Sequence, residues 1–265
     1  VETKRSNGAH IRHFADVVQE LDADHLAAAE GPVGHGGGFG IDAAEVRSAI
    51  SQNLLLRFVP EEALGGLYEA LLEAGLALPE AHTLLDITRC PGADTCNLAI
   101  TRSRGLAQAL EAHLSALPLA QDPGAKAIGV KISGCPNSCG QHHIADIGFY
   151  GSSRKVGERE VPHYVLLLGG RTREGEARFG QVVGRIPARR VPEAVERILK
   201  RYLEERQNGE SFQAYLDRVG AASFKPLLQD LQEVPPYEEA PEFYQDLGAE
   251  GEAFSVQLGR GECAV

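Results

Sequence analysis

The chain has 265 residues, 26 basic and 37 acidic side chains and a formal net charge of −11. That length suits roughly two domains with a core that needs no disulfide staples. A composition of 43% hydrophobic and 24% charged residues excludes global disorder. No apolar run reaches the ~18 residues of a membrane span, no signal peptide is visible, and the acidity argues against general nucleic-acid binding. There is no Met, and position 1 is Val, so a trimmed chain or a piece of a longer one is expected. Of five cysteines, four fall into two close pairs. In a chain of this size they point to a metal site in a reducing compartment, and the cytoplasm is the expected location.

In chain order, Ile11 to Leu26 reads as strand then helix, and Gly31 to Gly40 (GPVGHGGGFG) as a flexible loop without the context of a phosphate cradle. Val46 to Val59 reads as one strand or two short ones. Pro60 then opens a helix with Glu61 and Glu62 in its first turn, an apolar stripe of Leu64, Leu67, Leu71 and Leu72, and Gly75 at its end. Leu84 to Thr88 is predicted as a strand running into Cys90. A helix with Leu98, Ile100, Leu106, Leu110 and Leu114 on one buried face follows, and Pro118 stops it. Strands are predicted over Ala127–Ser133, Ile144–Tyr150, His163–Leu168 and Arg178–Ile186, and helices over Val191–Arg206 and Phe212–Val219. Beyond Gln232 the chain is rich in Pro and acid and is expected to lie over a surface. No internal repeat is evident.

Cys90 and Cys96 have five residues between them, and Cys135 and Cys139 have three. Each pair sits in a turn after a predicted strand, so four thiols can meet at the ends of two neighbouring strands. Soft thiolates suit zinc or an iron–sulfur cluster. Structural zinc prefers a tighter gap, and gaps of five and three fit a larger object such as a [4Fe–4S] cube. Pro follows both Cys90 and Cys135. Gly92, Gly134 and Gly140 allow backbone N–H groups to turn towards the sulfurs, and a helix N-terminus after Cys96, with another after Cys139, would lower thiol pKa. Cluster, zinc and unliganded thiols all remain open on this chemistry.

The segments DITRCPGADTCNLAITRSRGLA (86–107) and GVKISGCPNSCGQHHIADIGFYG (129–151) resemble the two cluster-binding motifs of the sirohaem nitrite/sulfite reductase family. SQNLLLRFVPEEAL (51–64) is similar to that family's ferredoxin-like half-domain, and the ending GRGECAV to the C-terminus of some assimilatory members. The resemblance implies an α+β fold: a ferredoxin-like half-domain (1–78), a mixed-sheet α/β domain for sirohaem and [4Fe–4S] (79–208), and a C-terminal helix and extended tail (209–265). It further implies that Cys90, Cys96, Cys135 and Cys139 bind a [4Fe–4S] cluster, that Cys139 bridges to the sirohaem iron, and that Asn137 meets a sirohaem carboxylate. The implied reaction is six-electron reduction of sulfite to sulfide or of nitrite to ammonia, with ferredoxin or another low-potential donor. Family members have two pseudo-symmetric halves. This chain resembles the second, so the first is an expected partner and the main source of the anion-binding Arg and Lys, and the chain alone is expected to lack a complete active site. A non-catalytic electron-transfer module and a zinc-stabilised domain are the readings of other classes.

Among the remaining residues, Arg89 and Lys131 flank the motifs, where they either balance cluster or sirohaem-carboxylate charge or are strand-end charges. His142 and His143 read as packing near a cofactor rather than ligating it. Gln52 and Asn53 read as strand-end caps. Arg171, Arg173, Arg178, Arg185, Arg189 and Arg190 form a basic stretch that reads as a solvated strand edge or a dock for an acidic electron donor. Cys263 reads as an exposed tail thiol.

Overall fold

The computed structural model describes residues 2–3, 46–57, 59 and 61–256. The expectations for Ile11–Leu26, the Gly-rich loop, Pro60, the GRGECAV ending and Cys263 lie outside these. The chain divides into two compact units, Val1–His82 and Thr83–Val265.

In the first unit, strands β1 (Glu2–Thr3), β2 (Val46–Ser48) and β3 (Leu54–Leu56) form an antiparallel sheet in the order β1-β3-β2. Helix α1 (Leu64–Glu73) follows a 3-10 turn at Glu61–Ala63. Only half of the predicted stripe faces inward: Leu67 and Leu71 pack with Leu56 and Leu76, whereas Leu64 and Leu72 are exposed. Gly75 ends the helix with φ of 67°, and Leu76 donates its N–H back to the Leu71 carbonyl, the left-handed closure that glycine permits. Gln52 and Asn53 do not end a strand. They make the turn between β2 and β3, in which Ala49 donates its N–H to the Asn53 carbonyl and Gln52 its N–H to the Ala49 carbonyl.

The second unit is built on a mixed five-stranded sheet in the order β4 (Thr88–Arg89), β5 (Val130–Ser133), β6 (Ile147–Val156), β7 (Arg159–Leu168) and β8 (Gln181–Pro187). β4, β5 and β6 run parallel, while β6, β7 and β8 are antiparallel. The fold is α+β. The predicted strand at Leu84–Thr88 shrinks to Thr88–Arg89, because Leu84 gives its N–H to the Lys126 carbonyl rather than to a sheet partner. Two short strands predicted at 144–150 and 163–168 are one long hairpin, closed by a left-handed Gly157 at φ 62°. Its polar tip reads as loop in sequence, yet ten residue pairs stay in register from Ile147↔Leu168 to Val156↔Arg159.

Helix α2 (Ser103–Ser115) begins later than predicted. Leu98 is exposed and Ile100 half-buried in the loop before it, while Leu106, Leu110 and Leu114 are fully buried. A short α3 (Pro123–Lys126), capped by the Asp122 carboxylate on the Gly124 N–H, leads into β5. Helix α4 (Val191–Glu205) buries Val195, Ile198, Leu199 and Tyr202, with Leu203 at its border, and α5 (Phe212–Val219) lies where predicted. The tail is more than a surface cover. Leu247 joins the main core, and its carbonyl occupies the space that a side chain at Gly105 of α2 would need.

Candidate metal centre

Because β4 and β5 are parallel neighbours, their C-terminal ends deliver both cysteine loops to one edge of the sheet. Cys90 follows β4 directly, and Cys135 follows β5 after Gly134. Cys90 and Cys135 are buried, Cys96 is partly covered and Cys139 is exposed. The Cys135 thiol lies within electrostatic reach of Cys90, Cys139 and Cys96; burial pushes its pKa up, its three neighbours push it further, and a hydrogen bond from the Asn137 backbone opposes them. All four thiols therefore share one locale. Among the described residues, however, no three His, Cys, Asp or Glu side chains converge as the ligands of a single metal ion do.

The loops are locked by backbone contacts. The Gly134 N–H donates to Cys90 Sγ at 3.1 Å. The Gly134 carbonyl accepts from the N–H groups of Ile100 (2.8 Å) and Thr101 (3.0 Å). Of the three glycines expected to aim N–H groups at sulfur, only Gly134 is seen to do so. Gly140 donates instead to Ser133 Oγ at 3.0 Å. Gly92 serves close packing: a Cβ there would sit 2.5 Å from the Ser103 nitrogen. In the second loop Ser138 and Gln141 both adopt φ of 60°, a left-handed geometry uncommon outside glycine.

The helix expected just after Cys96 is absent there. Helix α2 starts at Ser103, and its N-terminus lies against Cys90: Ser103 Oγ is 3.4 Å from Cys90 Sγ and donates to the Cys90 carbonyl at 2.7 Å. Nor does an α-helix follow Cys139, where a 3-10 turn spans His142–Ile144. Sequence reasoning passed over Ser103 and Thr101. Both are fully buried, and only tertiary packing brings them to the thiols.

Asn137 is exposed beside Cys139. Arg89 is half-buried and donates to the Ile87 carbonyl at 3.3 Å. Lys131 Nζ donates to Gln141 Oε1 at 2.9 Å, and burial lowers its pKa against the opposing pull of Asp86. His142 is wholly buried, paired through Nδ1 with Ser133 Oγ at 2.9 Å, and its pKa is lowered to about 4 by burial and by His143. It packs on Tyr150 and His143. The basic stretch is neither a bare edge nor an open dock at four of its positions. Arg171 and Arg178 clamp Asp217 at 3.0 and 2.6 Å, Arg189 donates to the Glu242 carbonyl and Arg190 to the Asp230 carbonyl.

Residues 80–234, more than half of the chain, match the family model for the nitrite and sulphite reductase 4Fe-4S domain. The chain is 29% identical over 172 residues to a sulfite reductase [ferredoxin] 1 of Mycolicibacterium paratuberculosis, covering 63% of this chain and 31% of that protein. It is 31% identical over 131 residues to a ferredoxin--nitrite reductase of Synechococcus elongatus, covering 48% of this chain and 24% of that protein. In fold it is similar to the NirA protein of Mycobacterium tuberculosis, with a TM-score of 0.62 at 24% identity over 83% of this chain and 38% of that one. The chain thus spans about a third or less of the length of these curated relatives.

Proposed function

The chain belongs to the nitrite and sulphite reductase 4Fe-4S family, and we propose that it is the cluster-binding part of a sirohaem enzyme that reduces sulfite to sulfide by six electrons, drawn from ferredoxin or another low-potential donor. Under this proposal Cys90, Cys96, Cys135 and Cys139 would hold a [4Fe–4S] cluster, and Cys139 would also serve the sirohaem. The supporting observation is the thiol set itself, four thiols at one sheet edge of which only Cys139 is exposed. Four soft thiols gathered in one place suit an iron–sulfur cluster, and N–H donors to Cys90 and Cys135 would offset its negative charge.

When bound, the cluster and sirohaem supply low-potential electrons one at a time to the anion. The chain's own residues do the rest. Buried Cys90 and Cys135 keep water from one side of the thiol set, and exposed Cys139 leaves the other side open. Asn137, exposed beside Cys139, would meet a sirohaem carboxylate, and Arg89 and Lys131 would balance cluster or carboxylate charge. Residues 1–78 act as a ferredoxin-like half-domain, 79–208 as the cofactor domain and 209–265 as a helix and tail bracing it. The other half of the enzyme supplies the anion-binding cations, in a reducing compartment such as the cytoplasm.

Nitrite reduction to ammonia is the second reading, favoured by the similar identity to the nitrite reductase relative. Anaerobic purification with iron and sulfide analysis and an absorption spectrum tests the cofactors: about five irons per chain, four from the cluster and one from sirohaem, with Soret and red bands is expected, and a colourless, iron-free protein overturns the proposal. Turnover of the intact enzyme with each anion separates the two substrates.

A further inference from the structure

We propose that Ser103 is a positioning residue whose hydroxyl donates to Cys90 Sγ once that sulfur is a metal-bound thiolate, and thereby raises the reduction potential of the thiol-held centre. The inference rests on the cluster reading above and adds to it a residue outside the cysteine motifs.

Ser103 is the first residue of α2 and has no exposed surface. Its single hydroxyl proton has two acceptors within reach, the Cys90 carbonyl at 2.7 Å and Cys90 Sγ at 3.4 Å. A neutral thiol carries its own proton and can donate to the Ser103 oxygen, which leaves the hydroxyl proton on the carbonyl. A metal-bound thiolate carries none and can only accept. An anionic acceptor forms the stronger hydrogen bond, so loss of the thiol proton favours sharing the hydroxyl proton with sulfur.

The surroundings keep this donor in place. The Gly92 Cα packs against Ser103, where a side chain at Gly92 would strike Ser103 N and Oγ. Thr101, two residues earlier, is tied through its N–H and Oγ1 to the Gly134 carbonyl, and the Gly134 N–H is the other donor to Cys90 Sγ. The positive end of α2 is brought to Cys90 as well. Three sources of positive potential thus converge on one buried sulfur. Each favours the more negative, reduced state, because one-electron reduction adds charge partly borne by the sulfurs.

The test is a potentiometric titration of the anaerobic holoprotein followed by electron paramagnetic resonance. Ser103→Ala is expected to keep its iron and to shift to a more negative potential, while Ser103→Thr, which keeps the hydroxyl, stays at the parent value. Full iron content in the Ala variant with an unchanged potential overturns the inference. Should the Ala variant fail to fold, electron–nuclear double resonance on the unaltered, 15N-labelled holoprotein in D2O decides. A strongly coupled exchangeable deuteron not attached to nitrogen supports the hydroxyl donor, and couplings from amide deuterons alone overturn it. A parent protein without iron and sulfide is a different result, since it removes the cluster reading itself.

Discussion

Cys139 and Cys135 show how burial separates residues of one type. Cys139 is exposed, whereas Cys135 is buried with a raised pKa and so holds less thiolate at neutral pH. In iron-free protein, maleimide is therefore expected to label Cys139 first and Cys135 last among the four loop thiols, as read by peptide mass spectrometry over time; equal rates would contradict the burial order. Glycines separate in the same way. A Cβ at Gly134 would lie 2.6 Å from the Thr101 carbonyl oxygen and 2.9 Å from the Gly92 Cα. Both are backbone atoms, so Gly134→Ala must move a cysteine loop. A cost of about 1–3 kcal/mol and loss of bound iron are expected, by denaturant unfolding and iron analysis. Gly65 in α1 has open space around it, and Gly65→Ala is expected to stabilise by about 0.5–1 kcal/mol through helix propensity.

At the scale of elements, the tail segment around Asp246 is the least expected. Its carboxylate accepts the Arg102 N–H at 2.7 Å just ahead of α2, and so caps the helix that presents Ser103. Burial raises Asp246 from 3.8 to about 6. The folded chain then holds this proton more tightly than the unfolded chain, so the contribution of Asp246 falls as pH rises from about 4 through about 6, by up to about 3 kcal/mol at 1.36 kcal/mol per unit. His142, depressed to about 4, acts with the opposite sign, its contribution rising as pH climbs towards the ordinary 6.5. Asp246→Asn keeps an oxygen for the Arg102 N–H and removes the first effect. Urea midpoints between pH 5 and 7 are expected to climb more steeply with pH in this variant than in the parent; parallel slopes would show that Asp246 titrates normally. In α4, Ile198→Ala is expected to cost about 2–4 kcal/mol in the same measurement, since Ile198 is fully buried in the main core.

For the molecule as a whole, the cations around the thiol loops have partners already. Lys131 donates to Gln141, and Arg102 to the Gly248 carbonyl, beside Asp94 and Glu252. With a net charge of −11, an anion such as sulfite needs a local cluster of cations, which the proposed reading assigns to the rest of a longer enzyme. The 265-residue chain on its own is thus expected to bind iron yet to turn over neither sulfite nor nitrite with a reduced dye. Turnover at a rate comparable with the intact enzyme would count against that division of labour. Among the described residues no helix is long and apolar enough to cross a membrane.

The sequence by itself determined the family, the α+β class and the two cysteine loops. Their chemistry is written in short, contiguous patterns: Cys-Pro turns after β-branched strands, and apolar spacing in α4 and α5. It also showed each pair directly following an apolar run, so that both loops could end neighbouring strands; that the two strands do pair was decided by the sheet order. It did not yield the long hairpin of β6 and β7, whose polar outer half is held by partner strands rather than by its own pattern. It misplaced the start of α2, because Leu98 and Ile100 continue the helical spacing although the chain there folds back to bond Gly134. Tertiary structure alone decided which donors reach sulfur. Of the three glycines that the sequence offered, only Gly134 reaches sulfur, across 44 residues, while Ser103 and the Asp246 cap lie 13 and 144 residues from the groups they bond, and those two contacts leave no local trace in the sequence.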